Sequence, residues 1–123
     1  MATAGRQARP KPVRDVMSPP RPKPSTKLLD AMIEEATVDA YNDEEQITGL
    51  FTMLEEHLAL PFDTELLGIT ATVTKIDLAP GNEIVAICRR GAHKQAIPIL
   101  DLPLPDPAPD GAEWIDAYRR WRR

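Results

Sequence analysis

Cysteine is nearly absent from this sequence, since Cys88 is the single one in 123 residues. An intrachain disulfide is therefore excluded, and so is a zinc site built on two or more thiolates. No apolar run approaches the ~18–20 residues that span a bilayer, and the N-terminus lacks the apolar stretch of a secretory signal. We therefore expect a protein of the reducing cytoplasm with no membrane association.

Side chains that commonly carry catalysis are also scarce. The two serines, Ser18 and Ser25, lie in or beside an N-terminal tail, which leaves no serine nucleophile for a hydrolase triad. The six glycines are scattered and form no phosphate-binding loop. We expect no enzyme activity, because an acid pair such as Glu55 and Asp63 is all that would suit acid–base chemistry.

Charge divides the chain into two parts. Residues 1–26 hold six basic residues, one acidic residue and six prolines, a net charge of +5, whereas the remainder has nine basic and eighteen acidic residues, a net charge of −9. The few apolar side chains of residues 1–26 cannot bury enough surface to offset the cost of ordering the backbone, which is ~1–2 kcal/mol per residue. We predict a disordered, basic, proline-rich tail over 1–26 and one folded domain over 27–123. Segment 19–24 (PPRPKP) could dock in a partner's SH3-type groove, while the acidic domain argues against nucleic acid and anionic lipid as partners.

Two helices are predicted at the start of the domain. Ser25 or Thr26 can cap the first, which has apolar residues at helical spacing and ends near Thr37. Asn42 caps the second, with Glu45 as its capping-box partner, and the apolar stripe that follows continues toward Pro61.

From Leu66 the apolar period changes to two, which predicts strands. The alternation shifts phase near Thr74, as at a β-bulge, and turn residues separate three strands of an antiparallel meander. Pro98 places the third strand at an edge, and Trp114 begins the aromatic face of a last helix. We therefore predict an α+β domain with N-terminal helices, a small meander that could close into an SH3-like barrel, and a C-terminal helix.

Oxygen-bearing side chains cluster at both ends of the second predicted helix. The cluster at its start is Asp39, Asn42, Asp43, Glu44 and Glu45, and the group at and beyond its end is Glu55, Glu56 and Asp63. Acidic residues in a first turn are stabilised by the helix dipole, so that group has a structural explanation. Glutamates at the negative end of the dipole have none, and a bound cation would relieve their repulsion.

Hard oxygen ligands without thiolates suit Ca²⁺ or Mg²⁺. Glu44 and Glu55 lie eleven residues apart, hence ~16 Å along a helix, so one ion cannot use both ends and two sites are predicted. An EF-hand is excluded, because a loop starting at Asp39 would have Glu44 at its glycine position and Leu50 at its twelfth.

Four sequence segments resemble the small calcium-binding proteins of the cyanobacterial CcbP type. They are 38–46 (VDAYNDEEQ), 54–58 (LEEHL), 60–62 (LPF) and the ending that starts at 112–115 (AEWI). The resemblance implies a compact α+β protein that binds Ca²⁺ through surface carboxylates without an EF-hand, as a buffer or sensor rather than an enzyme. By position, it implies as ligands Asp39, Asp43, Glu44, Glu45, Glu55 and Glu56.

Our prediction is a monomeric calcium-binding domain whose acidic helix ends hold the ions. The alternative is a small SH3-like interaction module with no metal function, in which the acidic residues form a solvated face and the tail recruits a partner.

Overall fold

The structure, a computed structural model, describes residues 24–122. The predicted disordered tail therefore lies outside the described residues, except for its last three positions. Helix α1 (Thr26–Ala36) begins after Ser25, whose hydroxyl accepts a hydrogen bond from the Leu28 backbone N–H at 3.1 Å. Helix α2 (Asp43–His57) follows a short loop, and both predicted N-terminal helices are confirmed.

Four antiparallel strands follow the helices, and a last helix ends the described chain. The elements are β1 (Phe62–Leu66), β2 (Ile69–Ala79), β3 (Glu83–Arg90), β4 (His93–Pro98), a 3₁₀ turn (Ile99–Asp101) and α3 (Glu113–Arg122). Each strand pairs with the next, in the order β1-β2-β3-β4. The α+β class and the meander are confirmed, but the sheet is open, so the SH3-like barrel is not formed.

The predicted three strands are in fact four. Leu67 and Gly68 form a tight turn, with φ of 51° and 80°, and Phe62–Leu66 pairs across it as a strand of its own. The prediction missed this strand because the alternation of small and apolar residues continues through the turn. The bulge near Thr74 is confirmed by a register shift between Val73 and Lys75.

One face of the sheet, here called the inner face, is the buried one. The register places Val73 opposite Cys88 and Ile76 opposite Ala86, so the bulge keeps both β2 residues on the same face. The three helices cover one half of this face, and the segment around Leu102 covers the other half. The buried residues thus form two clusters, and the partly buried Leu60, Phe62 and Leu104 pack against both.

Helix α3 is held against both layers by polar contacts at its aromatic residues. The Tyr118 hydroxyl accepts a hydrogen bond from the Ile84 N–H at 3.3 Å, and the Trp121 indole N–H donates to the Gln46 side chain at 2.7 Å. The aromatic face predicted for this helix is confirmed as core, since Trp114 and Tyr118 are buried. None of the helices within 24–122 combines the length and the apolar character that crossing a bilayer would require.

Candidate metal site

The loop between α1 and α2, together with the first half of α2, forms an open groove of about 410 Å³, here called the acidic groove. Three carboxylate side chains line it, those of Asp39, Glu44 and Glu45. The Thr48 side chain lies one helical turn beyond Glu44 and lines the groove as well. The structure therefore brings together three of the eight predicted ligands.

Hydrogen bonds fix the start of α2 beside this groove. The Asn42 side-chain oxygen accepts from the Glu45 N–H at 2.8 Å, which confirms Asn42 as the helix cap. One carboxylate oxygen of Glu45 accepts from the Tyr41 N–H at 2.7 Å. In the predicted capping box Glu45 would accept from the N–H of Asn42, whereas here it accepts from the residue before, Tyr41. The other carboxylate oxygen of Glu45 takes no part in this hydrogen bond.

The floor of the acidic groove exists because α1 and α2 approach closely at Gly49. A Cβ atom at this position would clash with the Ala36 carbonyl oxygen at the end of α1. The missing side chain lets the backbone of α1 rest on α2 and holds the intervening loop over the helix. As a result, Asp39 in the loop and Glu44 and Glu45 in α2 line the same groove.

The remaining predicted ligands do not line the acidic groove. Asp43 is exposed in the first turn of α2, and Glu55 and Glu56 are exposed in its last turns. Asp63 lies on β1, where its carboxylate accepts a hydrogen bond from the Thr72 hydroxyl at 2.7 Å. It lines a separate groove together with Glu65 and the loop 103–105.

The end of α2 is closed by the loop that precedes α3. Gly111 packs so tightly that a Cβ atom there would overlap the His57 carbonyl group. The Ala59 N–H donates to the Asp110 carbonyl oxygen at 2.8 Å, and the His57 ring stacks on Trp114 with centroids 5.6 Å apart. These contacts fix the helix end that carries Glu55.

Comparison with known protein families decides the kind of ligand. The family model of CcbP-type calcium-binding proteins matches residues 30–122, which include α2, the whole sheet and α3. The chain belongs to this family. No curated protein and no solved structure gives a significant match. The ligand of this CcbP-type protein is therefore Ca²⁺, and the family is one of calcium-binding proteins rather than of enzymes.

The donor set of the acidic groove fits Ca²⁺ in kind. Hard cations prefer carboxylate and hydroxyl oxygens, and the described residues that line the groove include neither cysteine nor histidine. Within residues 24–122, however, no three histidine, cysteine, aspartate or glutamate side chains are grouped closely enough to hold a metal ion. In this CcbP-type protein the groove therefore has carboxylates along its walls, but they are not grouped as a coordination shell within the described residues.

Sequence reasoning missed two features of the site. Thr48 follows Glu44 by four residues, a spacing that places both on one helix face and could have been noticed. Gly49 was a cue as well, because glycine costs ~1 kcal/mol relative to alanine inside a helix and so points to a close backbone contact. The local sequence pattern does not show that Gly49 contacts the backbone of Ala36, because the two residues belong to different helices.

Proposed function

We propose that the chain binds Ca²⁺ at the acidic groove, with Asp39, Glu44 and Glu45 as its main ligands. The observation that carries the proposal is that these three carboxylates line one groove although Asp39 belongs to the loop and the others to α2. Asp43 and Asn42 adjoin them at the helix start. The Asn42 side-chain oxygen already accepts one hydrogen bond and has a second lone pair to offer.

The open arrangement of these ligands favours a sensor over a passive buffer. All three carboxylates are exposed. A cation that takes several of them must draw the loop toward α2, because Ca²⁺ ligands lie at ~2.3–2.6 Å from the ion. Binding would then be coupled to a change in the loop between the helices. The proposed role is therefore a calcium sensor in which Asp39 moves relative to α2.

A second, weaker site is proposed at the end of α2. Glu55 and Glu56 stand at the negative end of the helix dipole, where a cation relieves their repulsion. Asp63 is the third ligand proposed there, and its hydrogen bond to Thr72 would have to be shared with the ion. For these reasons we expect the site at the helix start to fill first.

The experiment that tests this is calorimetric titration of the chelator-stripped full chain with Ca²⁺, in moderate salt, with and without excess Mg²⁺. The D39N/E44Q double variant removes two charges from the acidic groove and should weaken the tighter binding step at least tenfold, about 1.4 kcal/mol. The matched control is E65Q/D77N, which removes the same charge from exposed strand positions. Equal weakening in both variants would contradict the proposal, since only long-range charge would then matter.

The second site has its own variant, E55Q/E56Q. It should abolish the weaker binding step and leave the tighter one unchanged. If this variant instead removed the tighter step, the order of the two proposed sites would be reversed. No heat with wild-type protein at millimolar Ca²⁺ would refute both sites and favour the interaction-module alternative.

Three further properties belong to the proposal. We place the protein in the cytoplasm, which suits the unpaired, buried Cys88. We expect a monomer, which sedimentation in the presence and absence of Ca²⁺ would test. We also propose that the proline-rich segment 19–24 is available to a partner, which an SH3-domain binding assay with the full chain would test.

A further inference from the structure

A second groove lies at the opposite end of the sheet from the helices. In the meander, the β1–β2 turn and the β3–β4 turn are at the same end, and a groove of about 400 Å³ opens between them. We call it the hairpin groove. Its apolar lining includes Leu66, Ala71, Ile97 and Pro103. The groove lies next to the segment around Leu102, which covers this half of the inner face.

The rim of this groove is basic in an otherwise acidic domain. Arg89, Arg90 and His93 line it, and the exposed Lys94 is adjacent in sequence. Among the described residues that line the groove, one is acidic, Asp101. Within residues 24–122, the guanidinium groups of Arg89 and Arg90 take part in no hydrogen bond or ion pair, so folding does not use their charge.

Leu67 adds an independent observation at the edge of the groove. The residue is fully exposed, at 103% of the reference value, and its backbone has φ of +51°. Two-residue turns with positive φ at both positions favour asparagine or glycine at the first, because other side chains are strained there. Leucine at this site therefore contributes neither burial nor turn stability. Ile69, two residues on, is also about half exposed.

We propose that the hairpin groove binds an acidic, apolar segment of a partner protein. Leu67 and the groove floor would contact the partner's apolar side chains, and Arg89, Arg90 and His93 would pair with its carboxylates. This surface is separate from the acidic groove, so the interaction does not depend on the calcium proposal.

Charge and shape together select this occupant. Residues 1–23 carry six basic side chains and one acidic one, so the chain's own tail is repelled by the rim. A small carboxylate held inside the groove would leave Leu67 uncovered, since that side chain stands at the turn between β1 and β2. A polypeptide crossing from one hairpin turn to the other can cover the leucine and reach both arginines.

The test uses a fluorescein-labelled synthetic peptide of alternating leucine and glutamate, titrated with the full chain and followed by fluorescence anisotropy. Saturable binding that weakens as salt rises is expected, with no comparable binding of a matched leucine–lysine peptide. L67N should weaken binding about tenfold or more, as truncation of a buried anchor does. Because asparagine is favoured in such a turn, the melting temperature of L67N should stay equal or rise. Binding and stability are thus separated in one variant.

Charge is tested by R89Q/R90Q, against the control K75Q, which removes one charge at an exposed β2 position. The double variant should weaken peptide binding about tenfold and flatten its salt dependence, while K75Q should change neither. Several results would overturn the proposal: equal binding of the lysine peptide, unchanged binding by L67N, or no binding by wild type at millimolar concentration. A dimer of wild type in sedimentation that L67N dissociates would overturn it too, because the occupant would then be a second copy.

Discussion

Arg120 of α3 donates two hydrogen bonds to the carboxylate of Asp30 in α1, from Nε to Oδ1 at 2.6 Å and from Nη2 to Oδ2 at 3.2 Å. The two residues are ninety positions apart, and the pair joins the first described helix to the last. Both side chains are accessible to solvent, so the pair orients the helices more than it stabilises them.

Acid should weaken this link. The hydrogen bond from Arg120, aided by its charge, holds the pKa of the Asp30 carboxyl below its ordinary value of 3.8, against a smaller opposing effect of desolvation. A pKa lowered in the folded state contributes stability above that value, and the contribution is lost as the pH falls through the folded pKa. We expect D30N to be less stable than wild type at neutral pH and the difference to shrink well below pH 3.8. Urea unfolding of both proteins across that range measures it, and a pH-independent difference would contradict the assignment.

Gly49 should resist replacement although it lies inside a helix. The Cβ of G49A would overlap the Ala36 carbonyl oxygen, so α1 and the loop must move away from α2. Overpacking of this kind costs about 1–3 kcal/mol, which exceeds the ~1 kcal/mol that alanine gains in helix propensity. We expect a net loss of unfolding free energy and a weaker calcium response. The control is T52A at an exposed position of the same helix, which should be neutral or slightly stabilising. Stabilisation by both substitutions would show that the contact at Gly49 is not tight.

Local sequence patterns predicted the parts of the fold that depend on neighbouring residues. The caps Ser25 and Asn42 are recognisable because a helix start needs side-chain acceptors for its free N–H groups. Pro98 indicated an edge strand because proline cannot donate to a ladder, and β4 is an edge strand. The bulge at Thr74 was visible as a change of phase in the apolar alternation.

The missed features depend on contacts between distant residues. β1 is a strand because Phe62–Leu66 pairs with β2 across a turn at Leu67, a residue that no turn rule favours there. The acidic groove needs α1 to lie on Gly49, which sequence spacing does not show. The sequence therefore grouped Asp39 with Glu44 and Glu45 and placed Asp63 in the other group, but it did not show the backbone contact at Gly49 beside which the groove forms.

Thr64 should contribute to stability through its hydroxyl group. It is a buried polar residue of β1, and its hydroxyl donates to the Pro103 carbonyl of the segment that covers the inner face. T64V keeps the shape but leaves that carbonyl without its partner, which costs about 1–3 kcal/mol. The control T70V lies at an exposed position of β2 and should have little effect. Chemical denaturation measures both, and equal stability of T64V and T70V would show that the hydroxyl is dispensable.

Calcium should raise the melting temperature of the protein, and its removal by a chelator should lower it. A ligand that binds only the folded state adds about 2.7 kcal/mol at a concentration one hundred times its dissociation constant. For a domain of this size, each kcal/mol raises the melting temperature by roughly 4–8 °C, so a rise of about 10–20 °C is expected at that calcium concentration. In E45Q the amide oxygen can still accept the Tyr41 N–H, so the cap is kept while the ligand charge is lost.

The E45Q variant should therefore melt near wild type in chelator and gain far less from Ca²⁺. Two other outcomes would contradict this prediction. If E45Q melted well below wild type in chelator, the carboxylate would act mainly through the helix cap. If its calcium-induced rise equalled that of wild type, Glu45 would not be a ligand. The two melting curves separate these roles. The melting temperature in chelator reports the stability of the fold without Ca²⁺, and its rise on adding Ca²⁺ reports binding of the ion.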